Sequence, residues 1–257
     1  MTNREKEKVI NNFTKNASSY VTSPIHAKGE DLNALVDWLQ PKSNWVVLDV
    51  ATGAGHVAKT LSPYVKQLFS TDLTKKMLQT AADFLEDYTN IFYMLADAEQ
   101  LPFLDETFDA VTCRIAPHHF PHPEKFIKEI SRVLKPGGMF MLIDNVAPEE
   151  SAYDEFINAI EKLRDNSHVR ALKMSEWNHL LSHNQMRVIK DETRRKTFEF
   201  EDWVSRTAHT EAEREAVRKY IIDAEDSIKK YFQVITNGEQ IVSFETNVGL
   251  LLASKEE

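Results

Sequence analysis

Between residues 45 and 145 short apolar runs alternate with amphipathic segments, a pattern that few architectures accept. WVVLDVA (45–51), QLFSTD (67–72), residues 91–95, FDAVTC (108–113) and MFMLIDN (139–145) read as strands, several of them β-branched and too continuously apolar to leave a face in water. Helical periodicity fills the gaps at 56–64, at 74–87 with Thr74 as N-cap, and at about 123–134, where Lys135-Pro136-Gly137-Gly138 forms a stop. Strands alternating with helices form βαβ units, whose right-handed crossovers yield a parallel sheet covered on both faces.

The flanks differ. Residues 1–40 are predicted as helices or an ordered arm, interrupted at Pro24, with a helix from Asp31 to Gln40. Beyond Pro148 no proline occurs; 150–184 and 208–231 read as charged helices, and 187–200 and 241–254 as strands that join the same sheet as an antiparallel pair. The expected fold is α/β: a doubly wound, seven-stranded mixed sheet with helical cap elements. Residues 1–257 form a single domain, divided into an arm (1–40), a core (45–146) and a region of cap helices plus the last two strands (147–257).

Glycine is scarce, seven in 257 residues, so its placement is informative. Gly53 and Gly55 follow the first strand, at the end of the sheet where α/β folds bind ligands, and permit a tight turn whose backbone approaches a bound molecule. Asp49 lies in the end of that strand, Asp72 ends the second and Asp97 follows the third. Asp72 stands 23 residues after Asp49, near the offset at which a carboxylate meets a ribose. An aspartate in a turn after a strand is ordinary. Three at consecutive strand ends point to an adenosine-containing ligand. The stretch Gly53-Ala54-Gly55-His56-Val57-Ala58 satisfies only the relaxed form of a dinucleotide fingerprint, and Asp49 would repel a pyrophosphate but suit a ligand carrying positive charge.

The blocks VVLDVATGAGHVA (46–58), STDLTKKML (70–78), LADAEQLPF (95–103), FDAVTCRIAPHHF (108–120) and RVLKPGGMFMLID (132–144) resemble those of class I S-adenosylmethionine-dependent methyltransferases, most closely the group of ubiquinone and menaquinone biosynthesis C-methyltransferases. The resemblance covers 45–145. It implies a Rossmann-like fold, S-adenosylmethionine as cofactor with S-adenosylhomocysteine as product, and a small-molecule methyl acceptor. By position it implies Asp49, Ala51, Thr52, Gly53 and Gly55 around the methionine part, Asp72 on the ribose diol, Leu73 and Met77 on the adenine, Asp97 with the Ala98 backbone at its edge, Arg114 and Ile115 on the methyl-transfer side, and Tyr20 as an aromatic closing over the cofactor. Ala51 stands where the family often has glycine.

A sulfonium already makes its methyl electrophilic, so the protein's task is alignment and exclusion of water. His119, then His118, in APHHFPHP (116–123) are the candidate base or substrate-orienting groups. Packing or capping is the structural alternative, because three prolines make the segment rigid. Pro121 argues against a helical metal pair of His118 and His122, and no metal is expected. Trp177, Trp203, Phe198 and Phe200 serve an acceptor pocket or the core. Arg194, Arg195 and Lys196 meet an anionic substrate or form a solvated strand edge. The helix at 210–232 presents Val217, Tyr220, Ile221, Ala224 and Ile228 as a lid or as a dimer surface.

Composition narrows the rest. The net charge of −9 disfavours nucleic acid, no apolar run approaches a membrane span, and the single Cys113 allows no internal disulfide. A cytoplasmic protein, with a homodimer allowed, is the expectation. The rival readings are a nicotinamide-dependent oxidoreductase and a non-catalytic S-adenosylmethionine-binding regulatory module.

Overall fold

The computed structural model describes residues 2–22 and 29–257. Helix α1 (Thr2–Thr22) and helix α2 (Glu30–Leu39) precede strand β1 (Val46–Val50). Helix α3 (His56–Leu61), β2 (Gln67–Asp72), α4 (Lys75–Phe84), β3 (Ile91–Leu95), β4 (Phe108–Arg114), α5 (Pro123–Val133) and β5 (Leu134–Val146) complete the alternating part. Helices α6 (Ser151–Arg164) and α7 (Met174–Ser182), strand β6 (Met186–Glu199), helices α8 (Phe200–Val204), α9 (Glu211–Ile222) and α10 (Asp226–Tyr231), and strands β7 (Ile235–Asn237) and β8 (Gln240–Lys255) follow.

The strands form one sheet in the order β3-β2-β1-β4-β5-β8-β6, with β7 paired to β8. Strands β1 to β5 pair in parallel, while β8 runs antiparallel to both β5 and β6. The expected mixed sheet is therefore present, extended by the short β7. The order reverses between β1 and β4, and ligands of open α/β sheets bind at such a point.

Each face has its own core. Phe126, Ile127, Ile130 and Val133 of α5 recur at helical spacing and are fully buried against one face, together with Trp177 of α7. Leu35 and Leu39 of α2 and Val57, Ala58 and Leu61 of α3 cover the other. A third cluster joins Phe156 and Ile160 of α6 to Trp203 of α8 and to Val217 and Ile221 of α9.

Some expectations need correction. The first segment is a single helix from Thr2 to Thr22 rather than several short pieces. Strand β5 starts at Leu134, because Leu134 pairs with Phe108 and the Gly137-Gly138 stop is absorbed as an irregularity before Ala110 pairs with Met139. The helix expected over 210–232 is two, α9 and α10, separated at 223–225. Val217 and Ile221 pack into the cluster with α6, while Tyr220 of the same helix stays exposed. Trp177 and Phe200 are core residues as well.

Candidate functional site

Asp49 ends its side chain in the sheet, 1% exposed, with Thr52 Oγ1 donating to Oδ2 at 2.6 Å and Thr112 Oγ1 donating to Oδ1 at 2.8 Å. Burial without a bonded cation pushes its pKa up to about 7, although both hydroxyls and the Arg114 charge oppose the rise. The chain then turns through three left-handed residues: Ala51 (φ 54), Gly53 (φ 56) and Gly55 (φ 88). Glycine takes this conformation freely, and Ala51 holds it at a cost of about 1 kcal/mol. A Cβ on Gly55 would sit 2.7 Å from Leu85 Cδ1, so this glycine serves the packing of α3 against the end of α4. On Gly53 the nearest atom to a Cβ is Met77 Cε at 3.5 Å, which leaves the backbone open toward the cleft.

Asp72 fastens the glycine turn to β2. Its Oδ2 accepts from the Gly53 N–H at 3.0 Å and its Oδ1 from the Thr74 N–H at 2.8 Å. Burial raises its pKa to about 6 against these bonds. At the end of β3 the Asp97 Oδ1 accepts from the Glu99 N–H at 3.0 Å and Oδ2 from Lys6 Nζ at 2.5 Å. Lys6 also bonds Glu99 at 2.6 Å, which pins α1 across the strand ends.

One cleft, enclosing about 1010 Å³ of space open to solvent, gathers these parts. Its lining includes Asp49, Ala51, Thr52 and Gly53 from the end of β1 and the turn after it, Asp72, Leu73 and Met77 from β2 through α4, Asp97 and Ala98 after β3, and Arg114, Ile115 and His119 from and after β4. Of the residues expected from the sequence, Gly55 and His118 lie outside its lining. Tyr20 lies in α1, but its side chain is outside the described residues. Lys6, Val9 and Phe13 of α1 close the cleft and were not foreseen, although their helical spacing was visible in the sequence. Thr74, Glu99 and Phe120 are further unforeseen lining residues.

Arg114 reaches away from the turn to Asp31 at the start of α2, Nε to Oδ2 at 2.6 Å and Nη2 to Oδ1 at 3.1 Å. Burial works against the Asp31 charge, yet this fork outweighs it and lowers the Asp31 pKa. The next residue, Ile115, has φ 52, a strained value for a β-branched side chain, held by its N–H bonding Ile143 O at 2.7 Å.

The histidines sit in a 3-10 turn (Pro117–His119). His118 Nδ1 lies 2.6 Å from Asp144 Oδ1, and its own N–H donates to Asp144 Oδ2 at 2.9 Å. Burial disfavours its charge, but Asp144 outweighs burial and raises the pKa. His119 behaves oppositely: burial, then the neighbouring His118 charge, lowers its pKa to about 3. Its Nδ1 is 3.0 Å from the Ser167 carbonyl, which can only accept, so Nδ1 carries the proton and Nε2 the lone pair. Among the described residues no group of three or more His, Cys, Asp or Glu side chains could hold a metal ion, and no helix is long and apolar enough to cross a membrane.

A model described as a methyltransferase domain matches residues 48–142. The chain is 37% identical over 236 residues to the uncharacterised methyltransferase YcgJ of Bacillus subtilis, covering 90% of this chain and 93% of that protein. It superposes with a TM-score of 0.87 on a Bacillus halodurans C-125 protein provisionally named a methyltransferase, at 41% identity, covering 89% of this chain and all of that one. The ubiquinone/menaquinone biosynthesis C-methyltransferase of Bartonella bacilliformis is 36% identical over 126 residues, 44% of this chain and 46% of that protein. Sheet order, the acidic strand ends and these relatives agree: the chain belongs to the class I S-adenosylmethionine-dependent methyltransferases.

Proposed function

We propose that S-adenosylmethionine occupies the cleft at the ends of β1, β2 and β3 and that its methyl group passes to a small-molecule acceptor entering beside Ile115 and His119. The observation that carries this reading is the convergence of Asp49, Asp72 and Asp97 on one cleft around a backbone left open at Gly53. The donor set fits. Asp49 is a buried carboxylate bonded only by hydroxyls, complementary to a positively charged ligand, and Asp72 spends one backbone N–H on each oxygen and keeps further lone pairs for a ribose diol. Leu73 and Met77 supply the apolar surface for an adenine, with Asp97 and the Ala98 backbone at its edge.

When bound, the cofactor supplies a methyl group activated by the sulfonium. Arg114 and Ile115 shape the transfer side, and α1 excludes water through Val9 and Phe13. His119, neutral with its lone pair on Nε2, orients an acceptor O–H or N–H by accepting its hydrogen bond; His118, whose pKa Asp144 raises, fills a positioning role. Residues 1–257 act as one unit, the first half serving the cofactor and α1 with the 147–257 region serving the acceptor. The buried lone Cys113 suits a reducing, cytoplasmic compartment. Calorimetry tests the reading against the nicotinamide alternative: saturable binding of S-adenosylmethionine and S-adenosylhomocysteine with none of NAD supports it, and the reverse pattern overturns it.

A further inference from the structure

A second cleft adjoins the first and shares Phe13, Ile115 and His119 with it. Its walls come from elements far apart in the chain: Asn145 of β5, Arg164 at the end of α6, Lys196 and Phe198 of β6, and Trp203 with Arg206 around α8. Phe198 and Trp203 contribute aromatic side chains, and the carboxylates Glu161 and Asp165 line the cleft beside its cationic heads.

The charges are unequally used. Arg164 is committed, donating to Glu161 Oε2 at 2.6 Å and to the Trp203 carbonyl at 3.1 Å, with its guanidinium 4.5 Å from the Trp203 ring centroid. Asp165 accepts from the Ser167 N–H at 2.8 Å, from Ser167 Oγ at 2.5 Å and from Asn12 Nδ2 at 3.1 Å. The acid whose charge reaches Lys196, Asp31, is already gripped by the two-pronged bond from Arg114. Half-buried Lys196 makes no hydrogen bond among the described residues; its Nζ lies 5.3 Å from the Phe198 ring centroid. Burial, then repulsion from Arg114 and Arg206, brings its pKa down to about 8 against the pull of Asp31. A half-buried ammonium beside two guanidinium groups, with its nearest acid already paired, is a ready partner for an anion.

We propose that this second cleft is the acceptor site and that the acceptor is a small organic anion, its flat apolar body against Trp203 and Phe198 and its carboxylate or phosphate on Lys196 with Arg206 alongside. The inference rests on the adjoining cleft being the cofactor site. The acceptor atom then faces the shared wall at Ile115 and His119. It forms the new bond to the methyl carbon, the electron pair of the cleaved carbon–sulfur bond stays on sulfur, and the acceptor's proton is lost to water while Nε2 of His119 orients the acceptor.

The test uses the full chain saturated with S-adenosylhomocysteine, whose own affinity is measured first, and three probes of one shape: phenylacetate, phenyl phosphate and the neutral phenylacetamide. The anions are expected to bind at least about tenfold more tightly than the amide, and Lys196→Met to reduce that preference to within about twofold, while S-adenosylhomocysteine affinity stays unchanged. Lys196→Arg restores the preference, which separates loss of charge from loss of fold. Whichever anion binds more tightly names the head group. Equal binding of amide and anions, a preserved preference in Lys196→Met, or no binding of any probe to the S-adenosylhomocysteine complex would overturn the proposal alone. Failure of S-adenosylhomocysteine itself to bind would remove the cofactor reading and this one together.

Discussion

His118 and Asp144 hold each other twice, through the imidazole at 2.6 Å and through the His118 backbone N–H at 2.9 Å, so a loop after β4 is locked to the end of β5 by one carboxylate. Burial alone would keep this imidazole neutral, and Asp144 reverses the balance. The stability that the protonated pair contributes is fully present below the unfolded histidine value of about 6.5 and is lost as pH rises through the elevated folded value. Asp144→Asn is expected to destabilise the protein by about 3 kcal/mol in the acid-side window and by less at high pH, measured by denaturant unfolding at several pH values. An NMR titration of His118 in the variant should show its pKa below 6.5.

Asp49 illustrates a conflict between stability and binding. Its pKa is raised from 3.8 to about 7, so the stability associated with its protonated form is present below pH 3.8 and lost as pH rises through about 7. Asparagine keeps the size and can still bond Thr52 and Thr112. Asp49→Asn should therefore stabilise the ligand-free protein by about 1 to 3 kcal/mol at pH 8, with a smaller gain near pH 4, while weakening S-adenosylmethionine binding. Thermal unfolding with and without ligand measures both effects. A variant less stable than wild type at pH 8 would contradict the account of this carboxylate.

The two glycines of the turn should separate in their effects. Gly53→Ala meets only Met77 Cε at ordinary contact distance, so its stability cost is the left-handed conformation, about 1 kcal/mol, and its main effect is loss of cofactor affinity. Gly55→Ala collides with Leu85 and Ala81 and should cost about 2 to 3 kcal/mol with cofactor affinity of the folded fraction nearly intact. Calorimetry and denaturant unfolding on the same two variants distinguish these outcomes.

The alternating core was legible because buried parallel strands are short apolar runs and the helices between them carry one apolar stripe; β2 falls on the expected residues, as does the half-exposed edge strand β3. Strand β7 was not, since three residues carry no periodicity, although Asn237-Gly238 is a hairpin signal in the sequence. The acidic strand ends were legible from position alone. The second cleft was legible only in part: Phe198, Trp203 and Lys196 carry one of two sequence readings each, but Arg164 and Arg206 join them only when α6, β6 and the α8 turn are placed. The basic triplet divides in the folded chain: Arg194 pairs with Glu192 and Arg195 with Glu245, while Lys196 turns to the cleft.

Lys6 bridges Asp97 and Glu99 and so ties α1 to the end of β3. Lys6→Met should speed amide hydrogen exchange across residues 4–15 and raise the dissociation rate of bound S-adenosylhomocysteine severalfold, with global unfolding stability nearly unchanged. Exchange in α1 identical to wild type would show that apolar packing against α4 is enough to hold it.

Asp72 carries the central claim most directly, because it both closes the glycine turn and faces the cleft. The decisive measurement is calorimetric titration of S-adenosylhomocysteine into wild type and Asp72→Asn, with circular dichroism confirming that both are folded. Single-site binding by wild type, weakened at least about tenfold in the variant, is the predicted result. Equal affinity in the two folded proteins would contradict the placement of the cofactor at the ends of β1 and β2.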